Sequence, residues 1–192
     1  FSALIALNLN LSFQLILLFY AFMTFIYSNL LKKIPVVDIM TLACLYVVRI
    51  ISGASIASLE ISNWLITFSV FFFLFLAGIK RWIEIEKSSD SLISSRGYVK
   101  EDINFITSLS YLCGLISVLI ICLYIDSQQA SLIYTNSRVL WFVPMIFLFW
   151  IVETLFLVSR KEVDDDPVAY ALKSKTSYVC AIFLITIFYF AT

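Results

Sequence analysis

The chemistry this chain can offer is concentrated first in one stretch, YSNLLKKIPVVDIMTLACLYVVRIISG, Tyr27–Gly53, where Tyr27, Lys32, Asp38 and Arg49 fall close together. Two lysines and a proline separate two apolar runs. The second run carries an aspartate at its start and an arginine far inside. A segment that only spans lipid has no use for Arg49. A charge near the bilayer centre costs about 2.5 to 17 kcal/mol, depending on the estimate, and marks a polar cavity, a partner or a substrate path. Asp38 and Arg49 are eleven residues apart. That is close to three helical turns, so the two share a face, with a rise of roughly 16 Å between them. They are too far apart to pair directly, and such a face is expected to line one pocket from mouth to floor.

Three further groups lie downstream. In AGIKRWIEIEKSSD, Lys80 and Glu84 are four apart and share a helix face, beside Arg81. One reading is a stop-transfer cluster with a surface ion pair. The other is a phosphate-binding rim, with cations on phosphate oxygens and a carboxylate that orients them or holds Mg²⁺. In SSRGYVKED, Arg96 and Tyr98 flank a glycine, giving a fixed cation, an approachable backbone and an aromatic lid. In SRKEVDDDPVAYALKSK, the run Asp164–Asp166 before Pro167 reads as a helix start. The functional alternative makes Asp165 and Asp166 metal ligands. Glu153 lies inside an apolar run, either as a cavity residue or as a partner for Arg49.

These groups need helices in a membrane to position them. Of 192 residues, 62% are hydrophobic and 14% charged, with a mean hydropathy of +1.00. A soluble domain is nearer half apolar and a quarter charged, so this is an integral membrane protein. With no His in the chain, a His-based metal site or general base is excluded. Cys44, Cys113, Cys122 and Cys180 fall in apolar runs without metal-type spacing and read as packing residues. Six spans are expected: Phe13–Leu31, Val36–Ser58, Trp64–Ile79, Ile103–Ile125, Val139–Ser159 and Tyr178–Ala191. A polar loop, Arg81–Asp102, is expected after the third. Phe1–Leu7 is expected to be the end of a helix already under way, so the chain is read as the C-terminal part of a longer protein. Eleven of the 13 basic residues fall on one side of these spans, which the positive-inside rule makes cytoplasmic. The inner connections are long and polar and the outer ones nearly uncharged, so chemistry is expected at the inner face.

The ordered motifs YSNLLKKIPVVD…R…G, KRWIE, RGYVKED and DDPVAYAL resemble the UbiA-type intramembrane prenyltransferase superfamily over essentially the whole chain. The similarity is closest to the branch of decaprenyl-phosphate phosphoribosyltransferase, including relatives fused to a haloacid-dehalogenase-like domain. The resemblance implies an all-α, UbiA-like polytopic bundle of nine membrane helices around a cavity, of which about six lie here complete. It also implies Mg²⁺, with the main aspartate-rich metal motif upstream. The expected activity joins a polyprenyl phosphate to the phosphoribosyl group of phosphoribosyl diphosphate. A prenyl diphosphate:aromatic acceptor transferase is the alternative, and a transporter is the reading from another class. The expected substrate-binding residues are Tyr27, Lys32, Asp38, Arg49, Lys80, Arg81, Glu84, Arg96 and Tyr98. Expected partners are a polyprenyl lipid, a diphosphate donor and the membrane, with no nucleic acid. The expected location is a bacterial cytoplasmic membrane.

Overall fold

The structure, a computed structural model, describes residues 10–88, 96–163 and 166–192. Among these residues the regular elements are helical. They are α1 (Leu11–Asn29), α2 (Val37–Ala57), α3 (Asn63–Lys87), α4 (Ile103–Ile125), the short α5 (Gln128–Ile133), α6 (Phe142–Ser159), the short α7 (Pro167–Lys173) and α8 (Lys175–Ala191). Tight 3-10 turns occupy Leu31–Lys33, Lys100–Asp102 and Ser137–Trp141. Among the described residues five helices are long and apolar enough to cross a membrane, or six if α7 and α8, bent by 74°, count as one span. The chain is an all-α helical bundle of membrane type.

The expected first, second and fourth spans match α1, α2 and α4 to within two residues at each end, and the expected stub Phe1–Leu7 lies outside the described residues. The other three expectations need correction. The third span does not give way to a loop at Arg81, because α3 continues to Lys87. Trp82, Ile83 and Ile85 are buried, so the helix leaves the apolar layer still packed on protein. The α-helix of the fifth span, α6, starts at Phe142 rather than Val139, behind a 3-10 turn. The sixth starts at Lys175 rather than Tyr178, and α7 lies bent away from it.

The core is built around α3. Phe75, Ile79 and Ile85 of α3 bury against Ile39 of α2, Ile106 of α4 and Ile151 of α6. Small residues let the helices close up: a side chain at Gly78 would run into Ser110, and one at Gly114 would meet Phe75 and Ile151 at 3.1 Å. Rings of Phe68, Phe72, Phe147 and Trp150 stack between α3 and α6. Trp150 donates its indole N–H to Ser177 at 2.9 Å, pinning α6 to α8.

Two apolar cavities adjoin this aromatic stack. One of about 430 Å³ lies between α3, α4, α6 and α8. The other, about 310 Å³, shares Phe147 and Leu184 with it and reaches Ala171 and Leu172 of α7. The up-and-down course brings the connections α1–α2, α3–α4 and α6–α7 to one end of the bundle, and side-chain contacts join all three to each other or to α3.

Candidate functional site

Arg81 is the centre of that end. It lies on the stretch of α3 that runs past the apolar layer, and its side chain is 1% exposed. A buried guanidinium needs partners, because its isolated charge costs several kcal/mol to desolvate. Asp38, 0% exposed in the first turn of α2, takes Arg81 in a two-point grip: Nε bonds Oδ2, and Nη2 bonds Oδ1 at 3.1 Å. Arg81 Nη1 bonds Glu84 Oε2, one turn along α3.

Tyr27, near the end of α1, completes the inner ring. Its hydroxyl donates to Asp38 Oδ1 at 2.8 Å and accepts from Arg81 Nη2 at 3.3 Å. Arg96 closes the outer edge. Its Nη1 lies 3.4 Å from Asp38 Oδ1 and 3.3 Å from the Tyr27 hydroxyl, and its Nε lies 3.2 Å from Glu84 Oε2. Two cations and two carboxylates therefore balance. Arg81 and Asp38 are sealed, while Arg96 at 24% and Glu84 at 28% exposure form the open edge.

The backbone that presents Asp38 is strained. Val36 sits at φ 68°, a conformation costly for a β-branched residue. Its N–H is held by the Tyr98 hydroxyl at 3.0 Å. Burial pushes the Tyr98 phenol up to about 12, so it stays neutral there. Gly97, at φ +72°, lets the Arg96–Tyr98 segment lie against the Lys33 carbonyl, where a Cβ would come within 2.5 Å. The loop that brings in Arg96 is thus seated on the turn that brings in Asp38.

The structure brings together Tyr27, Asp38, Arg81, Glu84 and Arg96, with Tyr98 behind them. It does not pair Lys80 with Glu84. Lys80 turns away to Asp166, 3.3 Å off, because Arg81 at i−3 already occupies Glu84. The gap beside the Lys80–Asp166 pair is about 10 Å³, room for about one water. Lys32 lies half-buried in the 3-10 turn between α1 and α2.

Arg49 does not share a pocket with Asp38. It is exposed, and it donates to the Tyr20 hydroxyl from Nε at 3.0 Å and from Nη2 at 2.5 Å. Glu153 is not its partner. Asp165 lies outside the described residues. Asp166 acts as a helix start: its Oδ1 caps the Val168 N–H at 2.9 Å, and Pro167 takes the first helical position. Partial burial pushes the Asp166 carboxyl up, but the Val168 N–H and Lys80 outweigh that and hold it below the usual range.

The carboxylates do not fit a magnesium site. Mg²⁺ takes oxygen ligands in a near-octahedral shell. Both Asp38 oxygens are engaged by Arg81, with Tyr27 and Arg96 also on Oδ1, Glu84 Oε2 is shared by two arginines, and Asp166 is divided between Lys80 and Val168. Among the described residues no group of three or more metal-ligating side chains is assembled. Sequence reasoning placed Asp38 and Arg81 separately and missed their pairing across 43 residues. The usable signal was that each is a charge abutting an apolar run, with no neighbour of opposite sign within one turn for Asp38.

No family profile matches the chain. It is 30% identical over 177 residues to the uncharacterized protein y4nM of Sinorhizobium fredii, an alignment covering 90% of this chain and 34% of that protein. It is 24% identical over 168 residues to the nodulation protein NoeC of Azorhizobium caulinodans, covering 84% of this chain and 53% of NoeC. The chain thus spans about a third of one relative and half of the other, and what it shares with both lies along nearly its whole length.

Proposed function

We propose that this chain forms part of a membrane-embedded transferase of the UbiA type, joining a polyprenyl phosphate to the phosphoribosyl group of phosphoribosyl diphosphate. The observation that carries the reading is the meeting of a charge network and apolar room in one bundle. Tyr27, Asp38, Arg81, Glu84 and Arg96 gather at the basic end. The smaller apolar cavity, between α3, α6 and α8, reaches α7 at that end. A lipid whose chain lies between helices and whose phosphate meets a polar mouth needs both.

In this reading a phosphate oxygen of the lipid attacks the anomeric carbon of the donor, and the bond to diphosphate breaks with its electron pair leaving on diphosphate. Arg96 is the residue that reaches the anion, by exchanging its Glu84 partner for phosphate oxygens. Lys80 and Lys32 add positive charge around the mouth. Asp38 and Arg81 position the others and do not touch substrate, because both are sealed and mutually saturated. Mg²⁺ would supply charge stabilisation to the diphosphate leaving group of such a reaction, and the described residues do not assemble a site for it. In this reading the active face is the cytoplasmic one of a bacterial inner membrane, and the basic connections at that end support the orientation.

The test is transfer of radiolabelled phosphoribosyl into organic-extractable lipid by membranes containing the complete protein. Arg96→Gln and Lys80→Ala should each lower kcat/KM by roughly 10- to 100-fold, the scale of a lost charge-assisted hydrogen bond. Undiminished transfer by both variants at normal protein levels would sink the assignment, and so would absence of transfer by the unsubstituted protein.

A further inference from the structure

Arg49 is a charge in the wrong place for solvent. Its guanidinium is bonded to the hydroxyl of Tyr20, the tenth of the 19 residues of α1. Both ends of α1 are about 13 to 14 Å away along the axis. The cation is therefore held near mid-membrane, and its long side chain does not reach for either surface. Tyr46, one turn earlier on α2, places its ring 4.9 Å from the guanidinium carbon, and the Tyr20 ring lies at 5.3 Å. The Tyr46 ring is itself fixed by stacking on Phe73 of α3 at 4.9 Å.

Two neutral rings and one hydroxyl orient the guanidinium without cancelling its charge. Cation–π contacts contribute about 0.5 to 2 kcal/mol each. An unpaired arginine at bilayer depth costs more than that on every estimate above the lowest. Among the described residues no carboxylate lies within 4 Å of Arg49, whereas Arg81 and Arg96 each have one. The face around it is open: α1 has no buried residue, and Leu15, Leu18, Phe22 and Phe25 are 59% to 69% exposed. Lipid phosphates stay at the two surfaces, a half-thickness away. A carboxylate at this depth has to be carried there by a spanning helix.

We propose that Arg49, Tyr20 and Tyr46 form a mid-membrane seat for the carboxylate of a further transmembrane helix, which docks on the open face of α1 and α2. This assignment is independent of the transfer reaction. The docking helix is one that presents a single Glu or Asp level with Tyr20, inside otherwise apolar sequence.

The probe is a synthetic polyleucine helix of about 20 residues with Glu, Gln or Lys at its centre. Its association with the labelled chain is measured by energy transfer in phosphatidylcholine vesicles. The Glu peptide should associate about tenfold more tightly than the Gln peptide, and the Lys peptide less tightly than either. Arg49→Gln should remove the Glu preference, and Arg49→Lys should retain part of it. Equal association of the Glu and Gln peptides with the unsubstituted chain overturns the proposal, and this arm needs no variant to fold. A preference that survives Arg49→Gln also overturns it. Loss of the preference when phosphatidylglycerol replaces a third of the lipid gives the seat to a lipid phosphate instead. Self-association of the chain that displaces the peptide and vanishes in Glu153→Gln gives it to a second copy. Either result rejects the docking helix.

Discussion

At the scale of single residues, Asp38 and Arg81 are worth more as a pair than either is alone. Breaking a buried ion pair from one side leaves a charge without compensation and costs about 3 to 5 kcal/mol, while replacing both partners by apolar groups is often neutral. Asp38→Asn should therefore lower stability by that amount, although Tyr27 and Arg96 still surround the site. The double variant Asp38→Leu with Arg81→Met should be less destabilised than Asp38→Asn alone. Thermal unfolding in detergent, run as a double-mutant cycle, reads the difference. A double-variant loss equal to the sum of the separate Asp38→Leu and Arg81→Met losses would show that the pair contributes no coupling. The sequence displayed both charges, yet their partnership was not legible. Helical spacing relates residues within one turn or two, whereas Asp38 and Arg81 meet because α2 and α3 pack side by side.

At the scale of elements, α7 depends on its first residue. Asp166 both caps the helix and pairs with Lys80 of α3. Asp166→Ala should cost about 1 kcal/mol through the cap alone. Asp166→Asn should cost less, because an amide oxygen still caps, but it gives up the attraction to Lys80. The carboxyl's folded-state pKa lies below its ordinary 3.8. Its contribution is then whole above the unfolded-state value and is lost as pH falls through the folded one. Acid unfolding of the Asn variant should lack that part of the descent. If the two curves run parallel below pH 4, the pairing contributes nothing. The DDDP run was readable as a helix start from composition alone, since Pro at the first position and an acid before it are local preferences. The continuation of α3 to Lys87 was not readable. Arg81, Glu84, Glu86 and Lys87 make that stretch polar on average, and only the protein packed around Trp82, Ile83 and Ile85 makes these three core.

At the scale of the whole molecule, the alternation of crossings puts Lys87 and Gln128 at opposite ends of the bundle. The basic connections should face the cytoplasm. Single cysteines placed at Lys87 and Gln128, in a background lacking the native four, should label from opposite sides of sealed membranes. Labelling of both from one side would reject the arrangement. Span positions were the most legible property here, because a membrane selects on apolar length and little else. The site was legible as a set of residues and not as a geometry. Lys80 and Arg49 were grouped with the others by charge, and the structure sends one to Asp166 and the other to Tyr20.

The bend before α8 has a mechanical consequence. With 17 residues, α8 is about 25 Å long, shorter than the roughly 30 Å hydrocarbon layer it is to cross. A thicker bilayer should therefore pull on the 74° corner at Ser174 and recruit α7 into the span. Straightening that corner draws Asp166 away from Lys80, so lipid length acts as a tension on the charged mouth. Vesicles of increasing acyl-chain length should progressively expose a cysteine placed at Val168, beside the Lys80–Asp166 pair, to a bulky aqueous thiol reagent. Exposure that stays constant with thickness would mean that the corner is stiff and that the bilayer deforms instead.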